Sequence, residues 1–478
     1  PTRLALLSVV LLSAAGCRGE ENLADAVTAA AMMDHLQALQ DIADDNDGNR
    51  AAFTEGYAAS ADYVTEQLEL AGYEVHTQSF TVAMSELEDS SLSQVEPLAV
   101  DYPFEGEADL GYAIFGGSPS VDLTAEVVPV DVMIPPGTDP NTSNSGCEAS
   151  DFEDFPSGAI ALVQRGTCAF ATKVLNGFDA GAVAVLIFNE GQEGRTEWIW
   201  TSMPLYDPPD IAAVGLTYGL GAELVALAEA GTVRVHLMTD VTWSDVTDVN
   251  VWAETERGDE DNVVLVGAHL DSVLAGPGIN DNGSGSALVL ETAIQFAELQ
   301  LRPVNKVRFA WWSAEEVGLV GSWFYVQELV ADEIVYLNYD MVGSPNGLPL
   351  VYASGSLEDD PYDPGPEELV IRDLYDQWMS DNGLPYGEIP GAISSDVRWF
   401  LDDEIPSGGL FTGATTVKSE YEASIFGGTA GEAYDPCYHL DCDTVDNIDT
   451  VLLGDMGAAS AYALQELAMR EAPLSQGP

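Results

Sequence analysis

Positive charge is the scarcest feature of this chain. Of its 478 residues only 15 are Lys or Arg, against 80 Asp and Glu, for a formal net charge of −65. Lysine occurs only at Lys173, Lys306 and Lys418. Phosphate backbones require clustered Lys and Arg, so a general nucleic-acid binder is excluded. The acidity instead gives solubility and a field that attracts cations, metal ions and protonated amines among them. Long apolar runs are missing too. The run Leu4–Leu12 falls short of the ~20 residues that a membrane-spanning helix needs, so no such helix is expected. Cysteine is sparse, with Cys17, Cys147, Cys168, Cys437 and Cys442 and no CxxC pair. That speaks against a zinc ribbon or a thioredoxin-type site. No GxSxG turn occurs, and His35, His76 and His236 have no convincing catalytic context, which speaks against a serine hydrolase.

The N-terminal PTRLALLSVVLLSAAGC carries one cation, Arg3, an apolar run, and small residues before Cys17. This fits a secretion signal over 1–17. The small residues before a cysteine resemble a bacterial lipoprotein cleavage site, although Ala14 stands where that pattern prefers Leu. Cys17 is therefore the lipidation candidate and the one expected tie to a membrane. Residues 18–30 are polar and Ala-rich, as a tether would be. A secreted, periplasmic or cell-surface chain sits where disulfides persist. With Cys17 set aside, proximity pairs Cys147 with Cys168 and Cys437 with Cys442. A monomer is expected.

Apolar residues make up 46% of the chain, enough for large cores. Helical periodicity is expected over Met32–Ile42 and from about Gly56 to Ala71, followed by the strand YEVHTQSFTVAM. From about 110 to 238 the character changes to short β runs, AEVVPVDVMI, AIALVQRG, AVAVLIFN and TVRVHLM, with one helix, FATKVLNGFDAGA, between them. Residues 240–475 alternate apolar strands (263–269, 307–314, 334–341, 348–354) with helical stretches such as 284–299. Strands apolar at every position are buried on both faces. The order predicts a three-layer α/β/α sandwich with a mixed, largely parallel central sheet. The expected division is 31–110 and 239–478 for that domain and 111–238 for a small β-rich insert.

The chemistry is expected beyond the carboxyl ends of the strands. VVLVGAHLDSV ends a strand with His269 and Asp271. GPGINDNGSG is a tight turn presenting Asp281 before a helix. WWSAEEVGLVGS offers Glu315 and Glu316, LNYDMVGS offers Asp340, and DPCYHLDCDT holds His439 between two cysteines. Taken singly, an HxD is usually structural, a Glu pair is usually solvated surface, and Asp281 or Asp340 is a plain cap. Their joint placement at strand ends and turns argues otherwise. Two His with several carboxylates suit Zn²⁺. Five ligands are too many for one catalytic zinc with an open position, and suit two zincs sharing a carboxylate. Of two adjacent Glu, one can ligate while the other takes a proton from the activated water.

Two resemblances follow from these residues. GCEASDFEDFPSGAIALVQRGTCAFATKVLNGFDAGAVAVLIFNE, with ALVxRGxCxF at Ala161–Phe170, resembles the protease-associated (PA) domain, a non-catalytic insert of secreted peptidases. A Cys147–Cys168 bridge there would pin a long loop, worth about 3 kcal/mol of loop-closure entropy. The set HLD, GINDNGSG, SAEEVGLVGS, NYDMVGS and CYHLDCD resembles the secreted di-zinc aminopeptidases of metallopeptidase family 28, over about 31–110 and 240–475. The resemblance implies a zinc exopeptidase fold and peptide substrates with a free N-terminus. It implies two Zn²⁺ per chain, one held by His269, Asp281 and Asp340, the other by Asp281, Glu316 and His439. It makes Glu315 the general base, Asp271 the group orienting His269, and Tyr438 the donor to the oxyanion, on a loop stapled by Cys437–Cys442. Glu315 and Asp340 would hold the substrate amine. The segment 405–413, with Gly408, Gly409, Leu410 and Phe411, would form an apolar side-chain pocket for Leu-like first residues. Relatives often have an Arg where this chain has Ser394. The same scaffold also hosts carboxypeptidases and glutaminyl cyclases, and a non-enzyme alternative is an inert surface binding protein. Acidic clusters such as Asp41–Asp47 are candidates for structural Ca²⁺.

Overall fold

Val263–Ala268 is apolar at every position and buried at every position. Such a strand has no face to offer water, and the fold covers it on both sides. The computed structural model describes residues 22–106, 110–192, 194–201, 203, 209–329, 333–352, 365–390 and 395–471. The expected signal, Cys17, the tether as far as residue 21, and Ser394 lie outside the described residues. Residues 22–30 are not the expected tether: they are largely helical, and Leu23, Ala24 and Val27 are buried in the main core.

Helices α1 (Leu23–Ala26), α2 (Ala29–Asp45) and α3 (Glu55–Ala71) open the chain. The Thr28 and Thr54 hydroxyls cap α2 and α3, and Gly72, at φ 95°, closes α3. Strand β1 (Val75–Glu96) follows, then β2 (Val100–Tyr102), β3 (Tyr112–Ile114), β4 (Val121–Pro129), β5 (Ile160–Gln164), α4 (Phe170–Asp179), β6 (Ala184–Phe188), β7 (Ala212–Leu216) and α5 (Tyr218–Ala230). The chain returns through β8 (Arg234–Glu254) to β9 (Asp259–His269), α6 (Gly285–Glu298), β10 (Asn305–Trp312), α7 (Val320–Gln327), β11 (Glu333–Tyr339) and β12 (Leu350–Tyr352). It ends with α8 (Pro366–Asn382), β13 (Gly387–Ile389), α9 (Val397–Asp402), β14 (Ser407–Phe411), α10 (Glu420–Phe426) and α11 (Thr450–Met469).

The main sheet runs β13-β12-β14-β11-β9-β10-β8, with β1 also on β8. Strands β14, β11, β9 and β10 are mutually parallel, whereas β8 and β12 run antiparallel to their neighbours β10 and β14. Alternate residues of the parallel strands face two helical layers. Val264, Val266, Val307, Phe309 and Leu337 pack toward α2, α3, α6, α8 and α11. Val263, Leu265, Ala310, Trp312 and Tyr336 pack toward α7 and α9. This is the expected three-layer α/β/α sandwich. In the parallel register His269 pairs with Trp312, and Asn338 pairs with Gly267 and Gly409. The ends of β9, β10 and β11 therefore emerge along one rim.

The expected boundary of the insert is shifted. The strand expected over twelve residues runs for 22 as β1, antiparallel to the 21 of β8, in a ribbon that passes from one sheet into the other. Its distal part carries Leu92, which packs with Tyr102 in the core of the insert, although both fall within the 31–110 segment. The run SELEDSSLSQVE is polar enough to read as a loop; it is extended because β8 supplies a continuous hydrogen-bonding partner. The insert is also less purely β than expected. Strands β4, β5, β6 and β7 are parallel, and two helices lie on opposite faces, α5 against one core and α4 against the other. Helix α5 was not foreseen, because its glycines dilute the pattern. Gly221 is needed there: a Cβ would meet the Phe188 ring at 2.1 Å.

Candidate active site

The rim gathers six side chains from five separate stretches of sequence. His269 Nε2 lies 3.4 Å from Asp281 Oδ1 and 3.4 Å from Asp340 Oδ1. His439 Nε2 lies 3.1 Å from Asp281 Oδ2 and 3.0 Å from Glu316 Oε2. Ligand-type atoms of His269, Glu315 and Asp340 all fall within 4.8 Å of one another, and so do those of Asp281, Glu316 and His439. The two oxygens of Asp281 thus face the two imidazoles. Adjacent in sequence, Glu315 and Glu316 join different groups. Among the described residues these are the two clusters of this kind, and the acids at 41–47 form none.

The turn around Asp281 is stitched to the end of β11. Asn282 Oδ1 accepts from Met341 N and its amide donates to Tyr339 O. Val342 N donates to Ser284 Oγ and Gly343 N to Asn280 Oδ1. A Cβ at Gly285 would come within 2.2 Å of Tyr339 O, so glycine permits this approach. These bonds lock Asp281 and Asp340 in mutual register. Asp443 accepts from both Asn280 N and Asp281 N, at 2.9 and 3.0 Å. Asp435 takes the Asn280 side-chain amide at 2.6 Å.

Asp271 does more than attend His269. Its carboxylate accepts from Glu315 N at 3.1 Å and Glu316 N at 3.2 Å, aiming the acidic pair. The His269 Nδ1 lies 3.1 Å from Asp271 main-chain O and 3.7 Å from its carboxylate. Three residues bordering or within the ligand set, Ala314, Met341 and His439, hold φ of 61°, 50° and 59°, a region unfavourable for side chains with a Cβ. The Tyr438 ring stacks on His439 with centroids 3.8 Å apart, on the loop closed by the Cys437–Cys442 disulfide.

Sequence reasoning missed Arg50. It is fully buried, and its guanidinium donates to main-chain carbonyls of Leu270, Pro277 and Gly278. Its own N–H donates to Ser272 Oγ at 2.9 Å. One side chain therefore ties together the loop that leads from His269 to Asp281. Burial lowers its pKa to about 10, while Asp271, Asp443, Asp281 and Glu316 hold it up. In a chain with 15 cations, an Arg beside the turn DNDGN was the available signal.

On the protein's own charges, the cluster strongly favours a cation. Burial pushes Glu315 well above the ordinary carboxyl range, and burial with nearby Asp281 pushes Glu316 up to about 8. Burial alone would lower both imidazoles, yet the carboxylates around them raise His269 well above its usual value and His439 to about 10. Burial would raise Asp281, yet the two imidazoles bring it down to about 2. Three buried atoms facing this space, His269 Nε2, Glu316 Oε1 and Asp340 Oδ1, have no hydrogen-bond partner among the described residues. Buried polar atoms are normally satisfied. Convergent orphans with mixed N and O donors fit divalent metal of the zinc type.

The cavity over the ligands has a volume of about 190 Å³. Its polar side is the carboxylates and Tyr438, and its apolar side is Met341, Phe411 and Ala414. The expected wall of Gly408, Gly409, Leu410 and Phe411 is for the most part not at the cavity. Gly408, Gly409 and Leu410 lie inside β14, where Leu410 packs in the main core and a Cβ at Gly409 would strike Asn338 O at 2.0 Å. Only Phe411 of that segment lines the cavity. A larger hollow of about 660 Å³ lies elsewhere, bordered by His76, Arg257 and Lys306, and contains none of the six residues.

The chain is similar to several known proteins. The family described as Peptidase family M28 matches residues 250–464, and the PA domain matches 123–224. An aminopeptidase of Pseudomonas aeruginosa strain PAO1 is 44% identical over 448 residues, covering 92% of this chain and 81% of that protein. The probable lipoprotein aminopeptidase LpqL of Mycobacterium tuberculosis strain H37Rv is 37% identical over 460 residues, covering 92% of this chain and 85% of that one. Among solved structures, the aminopeptidase from Aneurinibacillus sp. strain AM-1 superposes with a TM-score of 0.69 at 25% identity, covering 95% of this chain and 97% of that one. Among the described residues, no helix is long and apolar enough to cross a membrane. Site, fold and relatives converge on one assignment: the chain belongs to peptidase family M28 and carries a PA domain within it.

Proposed function

We propose that this chain is an exported zinc aminopeptidase with a two-metal centre, which removes apolar, leucine-like first residues from peptides. The observation that carries the reading is the pair of ligand groups sharing Asp281, whose two oxygens lie 3.4 and 3.1 Å from the two imidazoles. His269, Asp281 and Asp340 would hold one zinc, and Asp281, Glu316 and His439 the other. Bound zinc supplies a Lewis acid for the scissile carbonyl and a water acidified toward neutrality.

The chain's own groups account for the rest. Glu315 stands beside His269 and Asp340, placed to take a proton from the water and return it to the leaving amine. Tyr438 keeps its proton, because burial and the carboxylates around it push its pKa far up, and its hydroxyl donates to the developing oxyanion. Glu315 and Asp340 attract the protonated amine of the first residue and fix cleavage there. Met341, Phe411 and Ala414 form the apolar side of the small cavity and favour an apolar first side chain. Two disulfides suit an oxidising compartment, and Cys17 is the candidate lipid attachment point.

The test is hydrolysis of leucine p-nitroanilide together with metal analysis. Activity is expected to vanish with phenanthroline and return with zinc, at two metals per chain. A glutamyl substrate is expected to be cleaved far more slowly. One metal per fully active chain, or a preference for acidic first residues, overturns the reading.

A further inference from the structure

The PA domain holds a second reactive arrangement, independent of the zinc ligands. Cys147 and Cys168 form a disulfide. Against it lies Lys173 of α4, with none of its surface exposed. The Lys173 ammonium donates to Ser145 O at 2.6 Å and sits 3.3 Å from Cys147 Sγ. Among the described residues it forms no ion pair within 4.0 Å, and Asp151 and Glu190 act from farther away. A buried ammonium without a counter-charge is unfavourable. It would gain one if the sulfur beside it became a thiolate. Burial, the larger influence, pulls its pKa down to about 8.

The surroundings suit opening of this bond. Both cysteines are only half-buried, and Thr167 and Ala169, flanking Cys168, are exposed. The turn bearing Cys147 is anchored without the disulfide. Asn176 donates to Gly146 O at 3.0 Å, Gln164 N to Ser145 Oγ at 2.9 Å and Thr167 N to Ser143 O at 2.8 Å. Once the bond opened, Cys147 would stay beside Lys173. A thiol next to a cation has a lowered pKa and leaves faster. The cation touches Cys147, so attack is directed at Cys168.

We propose that Cys147–Cys168 is a thiol-exchange site at which a low-molecular-weight thiol becomes attached to Cys168. The attacking thiolate forms a new S–S bond to Cys168 Sγ, and the Cys147–Cys168 bond breaks. The electron pair departs on Cys147 Sγ as a thiolate paired with the Lys173 ammonium. No external oxidant or reductant enters, because the disulfide bond is exchanged rather than consumed. The Cys437–Cys442 bridge has no Lys or Arg bonded to its sulfurs among the described residues, and serves as the internal reference.

The test treats the full chain with excess glutathione, quenches with iodoacetamide and maps the peptides by mass spectrometry. Glutathione is expected on Cys168 and the alkyl group on Cys147, with Cys437–Cys442 still closed when half of the first bridge has opened. Lys173→Gln, which keeps a donor for Ser145 O, is expected to slow opening roughly tenfold. Glutathione found on Cys147, equal opening of both bridges, or a folded Lys173→Gln chain opening at the wild-type rate overturns the proposal. The mapping on wild type decides the matter even if the variant does not fold.

Discussion

Two largely parallel sheets share one ribbon in this molecule, and both bury carboxylates just past the ends of their strands. In the PA domain, Glu190 follows β6 and is 1% exposed. It accepts from Asn141 N at 3.0 Å, Thr142 N at 3.2 Å and Arg195 Nη1 at 2.7 Å. In the peptidase sheet, buried carboxylates face imidazoles and one another, and oxygens of Glu316 and Asp340 are left without a donor among the described residues. The first arrangement is complete and the second is not. A buried acid whose lone pairs meet fixed donors serves the fold. Converging acids left unsatisfied are costly to keep unless a cation joins them. The same residue type at the same kind of position thus separates structure from chemistry by its hydrogen-bond inventory alone.

The sharpest way to break this contrast is to neutralise one acid on each side. Glu315→Gln is expected to keep its bound zinc and lower kcat by about 10²–10⁴-fold, the usual cost of losing a general base. Steady-state kinetics with metal analysis checks it, and wild-type turnover would remove Glu315 from its role. An intermediate effect is expected from Arg50. Lysine cannot reach three carbonyls with one planar fork, so Arg50→Lys is expected to lower metal affinity by about 10–100-fold, as loss of supporting contacts around ligands typically does. Titration of the metal-free protein with zinc measures it, and turnover per bound metal is expected to change little. On the PA side, Glu190→Gln is expected to leave kcat/KM within about twofold. It places an amide where Arg195 or a main-chain N–H needs an acceptor, and costs about 1–3 kcal/mol of that domain's stability. Hydrogen exchange resolved by domain would show protection lost in β5 and β6 but not at the zinc rim.

Most of the proposed ligand set was legible because its members follow runs of buried apolar residues or sit in a glycine turn, whereas His439 was marked by the cysteines on either side of it. His269 ends Val263–Ala268, and Asp340 ends the strand to Tyr339. Those patterns are local. What supports the ligands was not legible. Arg50 lies more than two hundred residues from the carbonyls it binds, and Asp443 is 162 residues from the Asp281 amide it accepts from. Nothing near either residue announces such a partner. The pocket wall failed for another reason. Gly408–Leu410 looks open in sequence, but pairing with β11 and β12 turns it into sheet interior, and Met341 and Ala414 reach the cavity from the loops beyond. The polar half of β1 and the glycine-diluted α5 were hidden similarly, since partner strand and facing ring decide them.

Lys173 is the place where the PA domain most resembles the rim in its electrostatics, as a buried charge short of a counter-charge. Its pKa of about 8 in the folded chain lies below the ordinary 10.5. Between those values the unfolded chain binds more protons, so this residue's contribution to stability rises as pH climbs from about 8 to 10.5. Below that window the charged form is a burden of roughly 1–3 kcal/mol. Lys173→Met removes the titration, so wild type is expected to gain on it as pH rises through the window. Denaturant midpoints of both proteins, with the disulfide intact, would show this; a constant difference would mean the ammonium is already compensated. With the Cys147–Cys168 bridge opened and Cys168 capped, the neighbouring thiolate supplies the missing anion. The folded-state pKa of Lys173 should then move upward and the slope should flatten or reverse. That makes the pH slope a readout of the sulfur's charge, since a change of fold alone gives no reason for the sign to turn.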